Sequence, residues 1–197
     1  MEKSLSGQKE IIKRCLQNNR QAQYELYERY SPVMFNICLR YAKNNTDAED
    51  ILQEGFIKVF RYLKDFSGKG SFEGWMRRIM INSALNFYKR KNLISKGVNP
   101  EDVHHYVSGE YNHDALSKMS HDELLGIIRE LPDGYRTVFN LNMIEGYSHK
   151  EIGELMKISV NTSKSQLSRA RTSLKRKIQH LLQTEENKIR WVAQTIV

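Results

Sequence analysis

This sequence predicts an all-α fold of two small helical domains joined by a flexible linker. Three observations carry that prediction. Apolar residues recur three or four positions apart along most of the 197 residues, and only three prolines and no alternating strand pattern occur. Between Asn92 and Met119 the periodicity vanishes, and Gly97, Pro100 and Gly109 fall among polar and acidic residues. A stretch of about two dozen such residues is long for a loop inside one compact domain, so it reads as a linker. The domains are then residues 1–92 and 120–183, separated by 93–119 and followed by a tail, 184–197, of no assigned role.

In the first domain, helices are predicted over residues 8–17, 21–43 with a break at Ser31-Pro32, 47–64 and 72–91. The third opens on a capping box, Thr46-Asp47-Ala48-Glu49, and buries Ile51, Leu52, Phe56, Val59, Phe60 and Leu63. Asp50, Gln53 and Glu54 remain beside that stripe as a protein-binding face. The fourth has Arg78, Asn82, Asn86 and Arg90 four residues apart, hence on one side, with Arg77, Lys89 and Lys91 adding charge nearby. Trp75, Met76, Ile79, Met80 and Phe87 occupy its other side, and the preceding loop, Phe66-Ser67-Gly68-Lys69-Gly70-Ser71, is flexible and carries a cation. Amides, cations and an aromatic beside a glycine loop suit single-stranded bases, where stacking contributes roughly 1 to 3 kcal/mol per base. A solvated helix face accounts for the same spacing equally well.

The second domain begins with another capping box, Ser120-His121-Asp122-Glu123, ahead of Leu124, Leu125, Ile127 and Ile128. Pro132 suits the first position of the next helix, whose core face is Tyr135, Val138, Phe139 and Met143. A helix-turn-helix follows. Its first helix is capped by Ser148-His149-Lys150-Glu151 and has Ile152, Leu155 and Met156 as its apolar face; Lys157-Ile158-Ser159 forms the turn. The second helix buries Leu167, Ala170, Leu174, Ile178 and Leu181, and its other face holds Asn161, Lys164, Ser165, Ser168, Arg169 and Arg171. From Lys164 to Lys177 there are basic residues and no acid, which suits a major groove.

Charge and composition narrow the function classes. The net charge of +8 divides into 17 basic and 10 acidic groups over residues 1–92, 2 and 5 over 93–122, and 12 and 8 over 123–197. Two basic blocks flank an acidic middle, a balance that fits a polyanion partner. No run of about eighteen apolar residues exists and the start, Met1-Glu2-Lys3-Ser4, is polar, so neither a membrane span nor a signal peptide is expected and the protein reads as cytoplasmic. Cys15 and Cys38 read as buried free thiols. Asp47, Glu49, Asp50 and Glu54 read as carboxylates favoured by a helix dipole rather than as metal ligands. The histidines at 104, 105, 113 and 121 lack zinc-ligand spacing and read as solvated. With no Walker loop, nucleophile elbow or metalloprotease motif, no active site, cofactor or small-molecule substrate is expected.

Three segments in order carry a resemblance. They are Asp47-Ala48-Glu49-Asp50-Ile51-Leu52-Gln53-Glu54-Gly55-Phe56, then Phe72-Glu73-Gly74-Trp75-Met76-Arg77-Arg78-Ile79 with Asn82 and Asn86, then Leu131-Pro132-Asp133-Gly134-Tyr135-Arg136-Thr137-Val138-Phe139 with the helix-turn-helix. Together they resemble the extracytoplasmic-function (ECF) group of bacterial sigma factors, in the sigma-70 family. The resemblance implies a non-enzymatic initiation factor that binds core RNA polymerase, brings it to a promoter and opens the duplex. It implies that Asp50, Leu52, Gln53, Glu54 and Phe56 dock on the clamp helices of the largest polymerase subunit, and that the second domain meets the flap of the second-largest. It further implies that Lys164, Ser165, Ser168 and Arg169, with Asn161 and Arg171 beside them, face the minus-thirty-five element. Phe66, Gly68, Lys69, Gly70 and Asn82, with Arg78, Asn86, Lys89 and Arg90, would hold a base flipped from the minus-ten element. The linker resembles the family segment threaded through the RNA-exit path, and an anti-sigma factor is a possible partner.

Two residues depart from the family pattern. Lys157 stands where glycine is usual in the turn, and a non-glycine at positive φ is disfavoured. Ser163 stands where an apolar residue is common, which would loosen the start of the recognition helix. Two other readings remain: a free-standing helix-turn-helix regulator that binds duplex as a dimer, and a metal-dependent nucleic-acid-processing enzyme using the carboxylates near Asp47.

Overall fold

The computed structural model describes residues 2–94 and 121–195, and every regular element in them is helical. The chain divides into two compact units, residues 1–107 and 108–197. Most of the expected linker, including the histidines at 104, 105 and 113, lies outside the described residues, as does Ser120 with the capping box it would form.

The first unit holds α1 (Glu2–Leu16), α2 (Arg20–Tyr41), α3 (Asn45–Tyr62) and α4 (Phe72–Ile94). The last three pack on one another, and α1 lies against α2. Asn18, in the left-handed region at φ 58°, turns the chain between the first two helices; the side chain of Asn19 accepts the Ala22 N–H at 2.9 Å as their cap. Arg14 and Glu25 pair at 3.1 Å across the same turn. No break occurs at Pro32: α2 runs through it with the ring exposed to solvent. The core is formed by Leu26, Met34, Ile37, Tyr41, Ile51, Val59, Leu63, Met76, Met80 and Ile81. Cys15 and Cys38 are both buried, and burial pushes the Cys38 thiol up to about 12.

The start of α3 differs from expectation. Its cap is Asn44, whose side chain accepts the Asp47 N–H at 2.7 Å, so the box at Thr46 does not form. Asp47 instead turns inward, where the Tyr88 hydroxyl donates to it at 3.4 Å and accepts the Lys43 N–H at 2.9 Å. One phenol on α4 thus closes the α2–α3 turn. The helix ends in a 3-10 turn over Leu63–Asp65, not in further α-helix.

The second unit holds α5 (His121–Arg129), α6 (Asp133–Phe139), α7 (His149–Met156) and α8 (Val160–Thr195), with a π-helical stretch over Asn140–Ile144 extending α6. Ile127, Ile128, Leu131, Ala170 and Leu174 form one core cluster, on which Leu124, Tyr135, Phe139 and Ile178 pack. The buried stripe of α8 ends there: Leu181, expected inside, is exposed. Pro132 sits one position earlier than predicted, as the cap of α6. Met143 is also outside, 48% exposed. The π stretch explains it, because its i→i+5 bonding, seen in the Glu145 N–H reaching Asn140 O at 2.9 Å, shifts the face that a 3.6-residue period projects. Arg136 is wholly buried, donating to the carbonyls of Arg129 (3.1 Å) and Leu131 (3.0 Å) and to Asp133 (2.7 Å). It supplies donors to the carbonyl end of α5, where the helix's own N–H groups run out.

Candidate nucleic-acid and polymerase interfaces

The helix-turn-helix is assembled by local hydrogen bonds. Ser148 and Glu151 form the expected capping box, with the Glu151 carboxylate accepting the Ser148 N–H at 2.8 Å and its hydroxyl at 2.6 Å. Those bonds hold the Glu151 carboxyl below its ordinary value. Lys157, standing where the family pattern has glycine, adopts the left-handed conformation at φ 56° and ψ 46°, and its N–H reaches Gly153 O. A side chain at Gly153 would meet the Ile158 carbonyl oxygen at 2.9 Å, so the turn closes directly over that glycine. Ser159, read from sequence only as part of the turn, caps α8: its hydroxyl accepts the Thr162 N–H at 2.9 Å and its carbonyl the Ser163 N–H at 3.0 Å.

Ser163 does not loosen the helix start. It is fully buried, and its hydroxyl lies 2.9 Å from His149 Nδ1 at the start of α7. A polar pair therefore joins the two helices where an apolar contact was expected.

Asn161, Lys164, Ser165, Ser168, Arg169 and Arg171 are all exposed. At about 100° per residue they span an arc of about 160°, with the two arginines at its edges. Both edges are tied to the α6 segment: Arg169 Nη1 donates to Tyr135 Oη at 3.1 Å, and Arg171 Nη2 to Met143 Sδ at 2.9 Å. The Tyr135 hydroxyl raises the Arg169 guanidinium's hold on its proton. Ser165 donates to Thr162 O at 3.0 Å within its own helix and keeps its oxygen available as an acceptor. Ser168, Arg169, Thr172, Ser173 and Arg176 line a shallow depression further along the helix. Thr172 and Arg176 were not singled out in the sequence; the i+4 rows running from Ser168 and Thr172 lead to them.

In the first unit, Gly68 and Gly70 take φ of 71° and 86°, so the loop between them turns through conformations that side chains avoid. Lys69, between them, is exposed. Phe66 is half-buried in an aromatic cluster, 5.0 Å from Phe72 and 5.4 Å from Trp75, with Tyr30 5.6 Å from Phe72. Trp75, read from sequence as lying on the side of α4 away from the polar strip, is half-buried and belongs to this cluster, and Tyr30 joins it from α2. Ser71 starts α4 by accepting the Gly74 N–H at 3.3 Å. Arg78, Asn82, Asn86 and Lys89 are half-buried along the helix, whereas Arg90 is exposed and paired with Glu54.

The polymerase residues separate into two groups. Asp50 and Gln53 are exposed, but Leu52 and Phe56 are buried at 6% and 3%, with Phe56 4.7 Å from the Tyr27 ring. Leu52 and Phe56 belong to the buried stripe beneath the exposed Asp50 and Gln53. Glu54 bonds Lys58 at 2.7 Å and also pairs with Arg90, while Lys58 reaches Ser83 at 3.2 Å. Burial pushes the Glu54 carboxyl up, but its bonds to the two cations outweigh this and hold it below the ordinary value. Ile57, in the same helical row as Asp50 and Gln53, is 59% exposed. An apolar residue off the buried stripe was the sequence signal for it.

Among the described residues no three His, Cys, Asp or Glu side chains gather to hold a metal, and no helix is long and apolar enough to cross a membrane. A capped helix-turn-helix presenting a basic, exposed second helix defines a protein of the duplex-binding class. The Sigma-70 region 2 family matches residues 26–94, and Sigma-70, region 4 matches residues 121–174. The ECF RNA polymerase sigma-E factor of Haemophilus influenzae is 32% identical over 186 residues, 87% of this chain and 95% of that protein. The RNA polymerase sigma-H factor of Pseudomonas aeruginosa is 29% identical over 187 residues, 88% and 94% of the two chains. A solved sigma factor of Bartonella quintana, in complex with an anti-sigma factor, is 19% identical with a TM-score of 0.47, covering 79% of this chain and 96% of that one. The chain belongs to the ECF group of RNA polymerase sigma factors, in the sigma-70 family, and is a transcription initiation factor rather than an enzyme.

Proposed function

We propose that the two units divide promoter recognition between them. The exposed arc of α8 reads the minus-thirty-five duplex through Lys164, Ser165, Ser168 and Arg169, flanked by Asn161 and Arg171. The loop Gly68-Lys69-Gly70, together with Phe66 and Asn82, captures a base flipped from the minus-ten element; Arg78, Asn86 and Lys89 follow the single strand. Asp50, Gln53 and Ile57 dock on the clamp helices of the largest polymerase subunit, with Glu54 setting the charge behind them, and the second unit meets the flap of the second-largest. The protein acts in the cytoplasm, and an anti-sigma factor holds it inactive, as family membership implies.

The observation that carries this reading is the contrast between the two surfaces. An exposed, cation-edged helix suits a closed duplex, whereas an aromatic cluster of Phe66, Phe72 and Trp75, next in sequence to a loop with two left-handed glycines, suits an extruded base. Run-off transcription with purified core polymerase tests it. Arg169→Ala is expected to lose about 1 to 3 kcal/mol of upstream discrimination while opening proceeds, and Asn82→Ala to impair opening with core binding intact. Sequence-specific duplex binding without any polymerase-dependent transcript would instead identify a free-standing regulator.

A further inference from the structure

We propose that Tyr135 is a positioning residue for promoter reading: its phenol fixes the Arg169 guanidinium at one edge of the recognition face. The inference rests on the assignment of α8 to the upstream element. Tyr135 lies on α6, not on the recognition helix, and its ring packs on the core cluster of Ile127, Ile128, Leu131, Ala170 and Leu174. Its neighbour Arg136 is wholly buried and bonded to Arg129 O, Leu131 O and Asp133, so the start of α6 is held firmly. The Tyr135 hydroxyl is the one polar atom of that ring, and it accepts from Arg169 Nη1 at 3.1 Å.

An arginine on an exposed helix face explores many rotamers and loses that freedom when it binds. Arg169 is tethered before DNA arrives. One of its five N–H donors is spent on the phenol, and the others remain for a paired contact with the acceptor edge of guanine. A stitch that only joined α6 to α8 would affect stability alone; a positioning contact affects the choice of base.

The test uses the full-length protein with core polymerase and a set of promoters carrying every single base change in the upstream element. Wild type, Tyr135→Phe, Arg169→Ala and the double variant are compared for transcript yield, and each is checked for an unchanged unfolding midpoint. Arg169→Ala is expected to flatten preference at one base pair. Tyr135→Phe, which keeps the ring, should lower preference at that same pair about threefold to tenfold and nowhere else, and should have no further effect in the Arg169→Ala background. Full preference retained in Tyr135→Phe would overturn the inference, as would equal weakening on every sequence, which marks a phosphate contact of its own. A wild-type protein indifferent to all upstream changes would overturn the assignment of α8 itself, and so is distinguishable from failure of the Tyr135 inference alone.

Discussion

At the scale of single residues, two side chains sit in conformations or surroundings that their chemistry disfavours. Lys157 occupies the left-handed region at φ 56°. Glycine there removes the Cβ conflict, partly offset by a freer unfolded chain, so Lys157→Gly is expected to stabilise the second unit by about 0.5 to 1 kcal/mol in chemical denaturation. Arg136 is the opposite case, a buried cation whose bonds to two carbonyls and to Asp133 close the α5–α6 turn. Arg136→Met removes the donors and leaves two carbonyls and Asp133 without them, a loss of about 3 to 5 kcal/mol measured by the same method. The strain at Lys157 was legible in the sequence because a helix-turn-helix demands a left-handed residue at a known place. The burial of Arg136 was not, because an arginine near a proline turn looks solvated until the carbonyls it serves are seen.

At the scale of elements, local chemistry was readable and competition between local signals was not. The Ser148 capping box formed as predicted. At α3 the cap is Asn44 rather than Thr46, and Asp47 lies inward against Tyr88, more than forty residues away in the chain, a contact that local spacing does not reveal. Helical spacing likewise identified the buried stripe containing Leu52 and Phe56. The strip Arg78, Asn82, Asn86 and Arg90 reads as one polar row in sequence, yet its last member is engaged by Glu54 across α3 and α4. That engagement has a pH signature. The Glu54 carboxyl is depressed in the folded state, so its contribution is complete above the unfolded-state value and is lost as pH falls through the lower folded-state value. Glu54→Gln should therefore lower the stability of the first unit at neutral pH and flatten its decline on the acid side, as followed by thermal melts across that range.

At the scale of the whole molecule, the two units have separate cores, and each contains its own candidate DNA surface. Residues 1–107 and 108–197 expressed apart are each expected to unfold cooperatively, with the midpoint of each matching one transition of the full chain by calorimetry. A fragment that melts without a transition would show that its core needs the other half. The all-helical architecture and the separation into two parts were legible because periodicity and its interruption extend over tens of residues. The tail was not: α8 continues without interruption to Thr195, where the sequence suggested a domain end near residue 183.

The π-helical stretch over Asn140–Ile144 adds a variable that substitution does not reach. Its wider bonding ring accommodates one residue more than an α-helix would over the same span, and that extra residue turns Met143 outward to the Arg171 guanidinium. Deleting a single residue there would let the segment rewind as α-helix, carry Met143 inward and release one edge of the DNA-facing arc while the composition of that arc stayed the same. Chain length in a segment outside the recognition helix thus becomes a means of altering which arginine is held in place, with no change of side chain on the arc itself.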